Sequence, residues 1–194
     1  MPLHDTLLIQ AFPSLLTKDA EGLLSIMDFQ AQFPPLGSIA VMLRSEQIQI
    51  PERVYFDLDL ETPHPDLSTV QRTMYACLYT RHDNGYMRKD ALRITLQSNA
   101  YWVAPFVVQL ASEYVEEILL VIYHQLPDLN KAVYRSFLKA NPRYYQRTKQ
   151  RMISYWNCYY RWKQPRLAEY VGAHIFAYFD ALLEQHEAGD LVGQ

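Results

Sequence analysis

The chain has 194 residues, of which 49% are hydrophobic, and a chain of this size can bury roughly 70% of its unfolded surface in a single core. Six glycines offer little for hairpins, Gly-rich phosphate loops or a multi-stranded barrel, and so favour helices. The net charge of −3 argues against a strongly basic nucleic-acid-binding domain.

The first 65 residues are predicted to be the less regular part of one domain that spans residues 1–194. Asp19 stands where a helix N-cap would, and the apolar residues after it predict a short helix of about ten residues. This helix should end before Pro34. Residues 36–44 then resume a helical pattern.

Residues 47–60 change character, because apolar and polar side chains alternate there. Two-residue alternation predicts an extended segment. Pro51 interrupts it, so the segment is at best an edge strand. The prolines in residues 62–65 predict a turn or short linker, in which His64 is part of the turn.

From Asp66 onward the sequence predicts helices. Either Asp66 or Ser68 caps a helix that runs through Thr80. Residues 83–85, with the sequence Asp-Asn-Gly, break it, and residues 87–97 form the next helix. Because the break is short, we expect these two helices to pack as neighbours.

Four further helices complete a predicted helical core that spans residues 66–187. Pro105 begins a long helix through Leu126, which is apolar around most of its circumference and is therefore expected to be central. The others cover residues 129–140, 142–162 and 167–187, with breaks at the prolines between them. The fold class predicted from these patterns is all-α, with about seven or eight helices and one short extended segment.

Residues 80–92 carry a family resemblance. Their Asp-Asn-Gly turn, followed by an aromatic residue, an arginine and then Ala-Leu, resembles the turn and second-helix start of HEAT-type repeats. No second copy occurs at the expected period, so the resemblance implies an irregular HEAT-like stack or bundle rather than a regular solenoid. Residues 113–118 and 154–161 are similar to uncharacterised bacterial helical proteins, among which toxin immunity proteins occur.

Charge is segregated along the chain. Residues 129–168 contain ten of the eighteen basic residues and no aspartate or glutamate. The residues before this segment have a net charge of −8 and those after it −5. Such asymmetry predicts either a partner surface or docking between parts of the chain itself.

One side of the predicted helix 142–162 carries arginines that two aromatic residues flank. The predicted partner-binding residues are Arg143, Arg147, Arg151, Arg161, Tyr155 and Trp162. Arginine binds carboxylates and phosphates bidentately. The opposite side carries Tyr145, Met152, Ile153, Trp156, Tyr159 and Tyr160. The alternative interpretation is a core-facing aromatic side and a solvated or ion-paired arginine side, with Glu113, Glu116 and Glu117 as partners.

A second, weaker candidate is the helix end at Arg81, His82 and Arg88, where Asp83 could raise the basicity of the histidine. Caps and dipole partners at helix ends commonly have this composition.

Glu113 and Glu117 are predicted to lie one turn apart on the long helix, yet no Glu-x-x-His partner accompanies them. We therefore predict no catalytic residue, no metal ligand and no cofactor.

The two cysteines, Cys77 and Cys158, match no metal or redox spacing, so we expect reduced thiols and a cytoplasmic protein without a disulfide. No apolar stretch is unbroken enough to cross a bilayer.

The expected function is non-catalytic binding of a macromolecule, with a protein partner of the toxin-immunity or antitoxin type first. Nucleic-acid binding through residues 129–168 is the alternative.

Overall fold

The computed structural model describes residues 7–26, 37–55 and 65–184, and these are mostly helical with one small sheet. They form two compact units, which divide between Phe106 and Val107. None of the helices in the described ranges combines the length and the apolar character that a membrane crossing requires. The predicted single domain over residues 1–194 stays a prediction.

Within its described residues, the first unit contains five α-helices and strands before the helix that contains the boundary. They are α1 (Thr17–Ile26), the strands β1 (Ser38–Leu43) and β2 (Glu46–Pro51), α2 (Thr69–Tyr79) and α3 (Gly85–Thr95). A 3₁₀ turn, Ser14–Leu16, leads into α1, so Asp19 lies in the first turn of this helix and not at its N-cap. The next helix, α4 (Ala104–Leu110), contains the boundary itself.

The helix predicted for residues 36–44 is wrong, because β1 occupies most of this range. β1 pairs antiparallel with β2, with Val41 opposite Ile48 and Ile39 opposite Ile50. The connection is tight, and Arg44 adopts a positive φ of 55° in it. A short apolar run is compatible with either helix or strand, and here pairing with β2 decides. A hairpin therefore forms although the chain contains few glycines.

The extended segment predicted for residues 47–60 is confirmed for its first part, which is β2. Pro51 is the last residue of that strand, where its missing N–H removes no ladder hydrogen bond. Val54 then forms an isolated parallel bridge with His82. Residues 56–64, with the remainder of this segment and most of the predicted Pro-rich turn, lie outside the described residues.

The two helices α2 and α3 confirm the prediction of neighbouring helices on either side of the Asp-Asn-Gly break, and they pack against each other. Ser68, not Asp66, caps α2: its hydroxyl accepts from Gln71 N, and the Gln71 side chain accepts from Ser68 N. Asn84 caps α3 by accepting from Tyr86 N. Helix α3 begins two residues earlier than predicted.

The second unit is built from four α-helices and one π-helical segment within its described residues. They are α5 (Glu116–Gln125), α6 (Lys131–Ala140), α7 (Pro142–Tyr155), the π-helix Trp156–Tyr160 and α8 (Val171–Glu184). Pro142 at the start of α7 confirms the predicted break between α6 and α7. Residues 185–187, the predicted end of the last helix, lie outside the described residues.

The single long helix predicted from Pro105 to Leu126 is wrong. It divides into α4 and α5, with residues 111–115 between them. Neither glycine nor proline marks this break, whereas Ser112 and Glu113 are buried in it. Two short helices that are each apolar on most sides have the same sequence pattern as one continuous buried helix.

Helix α7 is fixed to α8 by one carboxylate. Asp180 on α8 accepts a hydrogen bond of 2.6 Å from the Tyr145 hydroxyl and one of 2.6 Å from the Lys149 ammonium. Burial, together with the hydrogen bond and charge of Asp180, raises the pKa of Tyr145, so its hydroxyl stays protonated and donates. Gly172, eight residues before Asp180 on α8, permits close packing of α8 against α7, since a Cβ there would lie 2.8 Å from Met152 Cγ.

We expect the buried hydroxyls of Tyr145 and Tyr170 to differ in their effect on stability. Tyr145→Phe removes the bond to Asp180 and should lower the free energy of unfolding by about 1–3 kcal/mol. The Tyr170 hydroxyl is buried without a hydrogen-bond partner among the described residues. Tyr170→Phe should therefore leave stability within about 0.5 kcal/mol or increase it. Urea denaturation of both variants checks this, and equal losses would contradict it.

Candidate functional site

Three arginines form a line along α7, and we call this set, Arg143, Arg147 and Arg151, the arginine ridge. Their spacing of four residues places them on one side of the helix, about 6 Å apart along its axis. Arg143 and Arg147 are exposed, and Arg151 is half-buried. The Nε of Arg151 donates to the hydroxyl of Ser112 over 2.9 Å. The predicted arginine side of this helix therefore exists and faces outward.

The predicted alternative, in which acidic residues pair with these arginines, does not describe the arginine ridge. Among residues 7–26, 37–55 and 65–184, no carboxylate lies within 4.0 Å of a ridge guanidinium. Lys149, Lys163 and Arg166 of this unit do form ion pairs. Positive charge on the arginine ridge is thus left to interact with solvent or with a partner.

The arginine ridge leads to three tyrosines in mutual contact, which we call the tyrosine cluster: Tyr114, Tyr155 and Tyr159. Their ring centroids are 5.6 Å, 5.7 Å and 6.0 Å apart. Tyr159 is 54% exposed and Tyr114 is 43% exposed. The Tyr160 hydroxyl donates to the carbonyl of Tyr114 and so holds the α4–α5 connection against the end of α7. The cluster therefore presents partly exposed aromatic rings to solvent.

The π-helix Trp156–Tyr160 changes which residues share a side. Its i→i+5 bond, from Arg161 N to Trp156 O, is 2.9 Å long, and this wider turn rotates the chain less per residue than an α-helix does. Tyr159, predicted on the side opposite the arginines, is therefore turned toward the arginine side, and its ring contacts that of Tyr155 four residues earlier. Ile153, predicted on the same opposite side, is also exposed, whereas Tyr145 and Met152 are buried as predicted.

Beyond the π-helix, Arg161 and Trp162 differ in their surroundings. The Arg161 guanidinium donates to Asn157 Oδ1 over 3.0 Å and lies 5.9 Å from the centre of the Trp156 ring. Trp162 is 82% exposed, the highest fraction among the large apolar side chains described. Its Nε1 donates to the Tyr159 carbonyl over 2.9 Å, which holds the indole next to the tyrosine cluster.

The sequence did not identify two residues of this surface, Tyr114 and Tyr159. The sequence predicts Tyr114 in the middle of a central helix, and no glycine or proline indicates the break that exposes it. Regular α-helical spacing from Arg147 predicts Tyr159 on the side opposite the arginines. The run of aromatic residues from Tyr155 to Tyr160 was the one signal in the sequence that more aromatic side chains were present than a single helix face can bury.

The secondary candidates His82 and Arg88 lie in the first unit at the turn between α2 and α3. His82 is mostly buried, stacks on Tyr79 at 5.5 Å, and accepts at Nδ1 from Asn84 N over 3.0 Å. Asp83 Oδ1 is 2.9 Å from the same nitrogen. Arg88, only 1% exposed, donates to the carbonyls of His82 and Asp83. These bonds stabilise the turn, and a binding role for it stays a prediction.

Arg81, the third secondary candidate, joins the β-hairpin to the end of α2. Its guanidinium donates to the carbonyls of Pro51, Thr80 and Glu52 over 3.1 Å, 3.3 Å and 2.7 Å. The side chain is buried. A buried guanidinium is stable only when its donors are satisfied, and here backbone carbonyls from two elements satisfy them.

The three glutamates near the start of α5 do not form the predicted pair. Glu113 is buried in the α4–α5 connection, whereas Glu116 and Glu117 lie in the first turn of α5, where the helix dipole favours negative charge. Glu113 and Glu117 therefore do not share a helical face. Proximity to Glu116 and Glu117 adds to burial in raising the pKa of Tyr160. Within the described ranges, no three histidine, cysteine, aspartate or glutamate side chains group as metal ligands would.

Comparison of the chain with protein-family models, with curated proteins and with solved structures finds no match.

Arg81→Met should lower the free energy of unfolding by about 3 kcal/mol, because it leaves buried carbonyls of both the hairpin and α2 without a donor. Arg93→Met is the matched control. Arg93 is exposed and pairs only with Asp90 three residues away, so its loss should change stability by less than about 0.5 kcal/mol. Chemical denaturation of the two variants distinguishes them; similar values would show that Arg81 is not a structural link.

Two arginines of the ridge, Arg147 and Arg151, should contribute unequally to the free energy of unfolding. Arg147→Ala removes an exposed and unpaired charge and should change the free energy of unfolding by less than about 0.5 kcal/mol. Arg151→Ala also removes the bond to Ser112 and should lower it by about 1 kcal/mol. Thermal and urea unfolding of both variants test this. A loss above about 2 kcal/mol for Arg147→Ala would mean that Arg147 is part of the folded core.

Proposed function

We propose that this protein binds another protein, without catalysis, through the surface formed by the arginine ridge, the tyrosine cluster and Trp162. The observation that carries the proposal is that Trp162, the most exposed large apolar side chain described, lies beside an exposed tyrosine cluster and a line of arginines without ion pairs in the described residues. Neither feature stabilises the isolated chain, since exposed aromatic rings and unpaired cations gain little from the fold.

The composition of this surface is that of protein–protein hot spots. Tryptophan, tyrosine and arginine dominate the binding energy of interfaces, because each buries a large area and retains a polar group for a directed bond. The arginine ridge supplies planar guanidinium groups that bind carboxylates in pairs of hydrogen bonds. Its partner should therefore present an acidic surface next to an apolar one.

The specific form that we propose is an immunity or antitoxin protein that binds a toxin in the cytoplasm. The support is the resemblance of residues 113–118 and 154–161 to uncharacterised bacterial helical proteins, among which toxin immunity proteins occur, and these two segments supply all three residues of the tyrosine cluster. If the partner is a toxin, its expression alone should arrest growth, and co-expression with this chain should relieve the arrest.

For the fold, we propose that the helices pack as an irregular HEAT-like stack, on the resemblance of residues 80–92.

The partner should depend on the arginine ridge and on Trp162. Arg143→Gln with Arg147→Gln should weaken its binding at least about tenfold, and Trp162→Ala roughly thirtyfold. Lys131→Gln with Lys139→Gln removes the same charge from exposed residues of α6 and should change binding less than about threefold. To find the partner, a nuclease-treated cell extract is passed over each immobilised variant. The partner is the protein that the lysine variant retains and that the arginine variant and the Trp162 variant do not. Calorimetry with the purified partner measures the affinities, and equal losses in all variants contradict the proposal.

Nucleic acid is the alternative partner, and its salt dependence distinguishes it. Displacement of counterions from a phosphate backbone makes affinity fall by orders of magnitude between about 50 and 200 mM salt. We expect RNA, single-stranded DNA and duplex DNA to bind no tighter than about 10 μM at physiological salt, since the segments on either side of residues 129–168 are acidic. Submicromolar binding that Arg143→Gln with Arg147→Gln abolishes would favour the alternative.

A further inference from the structure

Resting on the proposed function, we infer that the element of the partner that contacts the arginine ridge is an acidic helix. It carries carboxylates at positions i and i+4 that pair with Arg143 and Arg147, and an apolar residue at about i+12 that packs on the tyrosine cluster and Trp162. The surface thus recognises a row of carboxylates that ends in an apolar side chain.

The spacing of the surface is the first argument. Arg143, Arg147, Arg151 and Tyr155 follow one another at intervals of four residues on α7, so the line from the first guanidinium to the tyrosine cluster covers about 18 Å of helix axis. Residues four apart on a second helix repeat at the same interval of about 6 Å. Rows of this spacing on two helices interdigitate in the commonest class of helix packing.

The change of chemistry along the line is the second argument. Positive charge is available at Arg143 and Arg147, which are exposed and without an ion pair in the described residues, whereas Arg151 is half-buried and already uses its Nε to donate to Ser112. Apolar surface begins at Tyr155 and continues through Tyr159 to Trp162. A complementary element must therefore be charged at one end and apolar at the other, which sets its orientation on α7.

The charge around the surface also distinguishes an acidic partner from a second copy of this chain. Residues 129–168 contain no acidic residue, so a symmetric contact between two copies through α7 would place arginine against arginine. Like charges that face each other across an interface disfavour it by several kcal/mol. An acidic helix removes that repulsion and gives each exposed guanidinium a carboxylate.

Synthetic peptides of about twenty residues test the inference directly with the full-length protein. The patterned peptide is helical, with glutamate at i, i+4 and i+8 and leucine at i+12 on an alanine and glutamine background. A dispersed peptide has the same composition with its glutamates on different faces, and an extended peptide has them at alternate positions between prolines. Fluorescence anisotropy at about 150 mM salt, where exposed charges are partly screened, should show the patterned peptide binding at least about tenfold tighter than the other two.

Variants of the protein then locate the contact. Arg143→Gln with Arg147→Gln should remove the preference for the patterned peptide, whereas Lys131→Gln with Lys139→Gln should leave it. Trp162→Ala should weaken the patterned peptide at least about fivefold but not a version with alanine at i+12. Equal binding of all three peptides, or none, overturns the acidic-helix inference. If the arginine variants still weaken the captured partner protein in that case, the proposed function stands; if they affect neither probe, both fail.

Discussion

The contact of Asp180 with α7 determines which side of that helix is available to a partner. Tyr145 and Lys149, both bonded to Asp180, lie two residues before and after Arg147. At 100° per residue each is about 160° away from Arg147 around the helix. Fixing these two side chains against α8 therefore directs Arg147 outward. The close approach at Gly172 reinforces this arrangement, because any larger residue there would push against Met152 of α7.

Two departures from regular helix then convert this outward side into a surface with distinct chemistry. The break at residues 111–115 brings Tyr114 to the end of α7, where the Tyr160 hydroxyl holds its carbonyl. The π-helix Trp156–Tyr160 rotates the chain less per residue and so turns Tyr159, four residues after Tyr155, toward the arginine side. π-helical turns occur frequently at functional sites. The first departure positions Tyr114 and the second positions Tyr159, and both residues belong to the tyrosine cluster.

The first unit uses its buried charges differently. Arg81 and Arg88 each direct a guanidinium at backbone carbonyls, the first joining the β-hairpin to α2 and the second stabilising the turn before α3. The segment that resembles a HEAT repeat, residues 80–92, thus supplies two of its own stabilising arginines. The arginine side chain therefore has a structural role at Arg81 and Arg88, which are buried, whereas Arg143 and Arg147 of the ridge are exposed. Burial distinguishes the two groups.

Local signals in the sequence predict those helix ends at which nearby residues satisfy the free backbone groups. Ser68 with Gln71, and Asn141 before Pro142, satisfy or remove backbone donors within a few residues, so these boundaries follow from the local sequence, whereas the cap at Asn84 starts α3 two residues earlier than the sequence predicts. The arginine ridge was predicted for the same reason, because the spacing of four residues is a property of the helix itself. Only the tertiary structure decided that residues 36–44 contribute a strand, that the chain breaks at residues 111–115, and that Tyr159 contacts Tyr114. Each of these depends on partners distant in sequence, namely the pairing of β1 with β2, the burial of Ser112 and Glu113, and the contact of Tyr114 with Tyr159, and a local pattern contains no record of such partners.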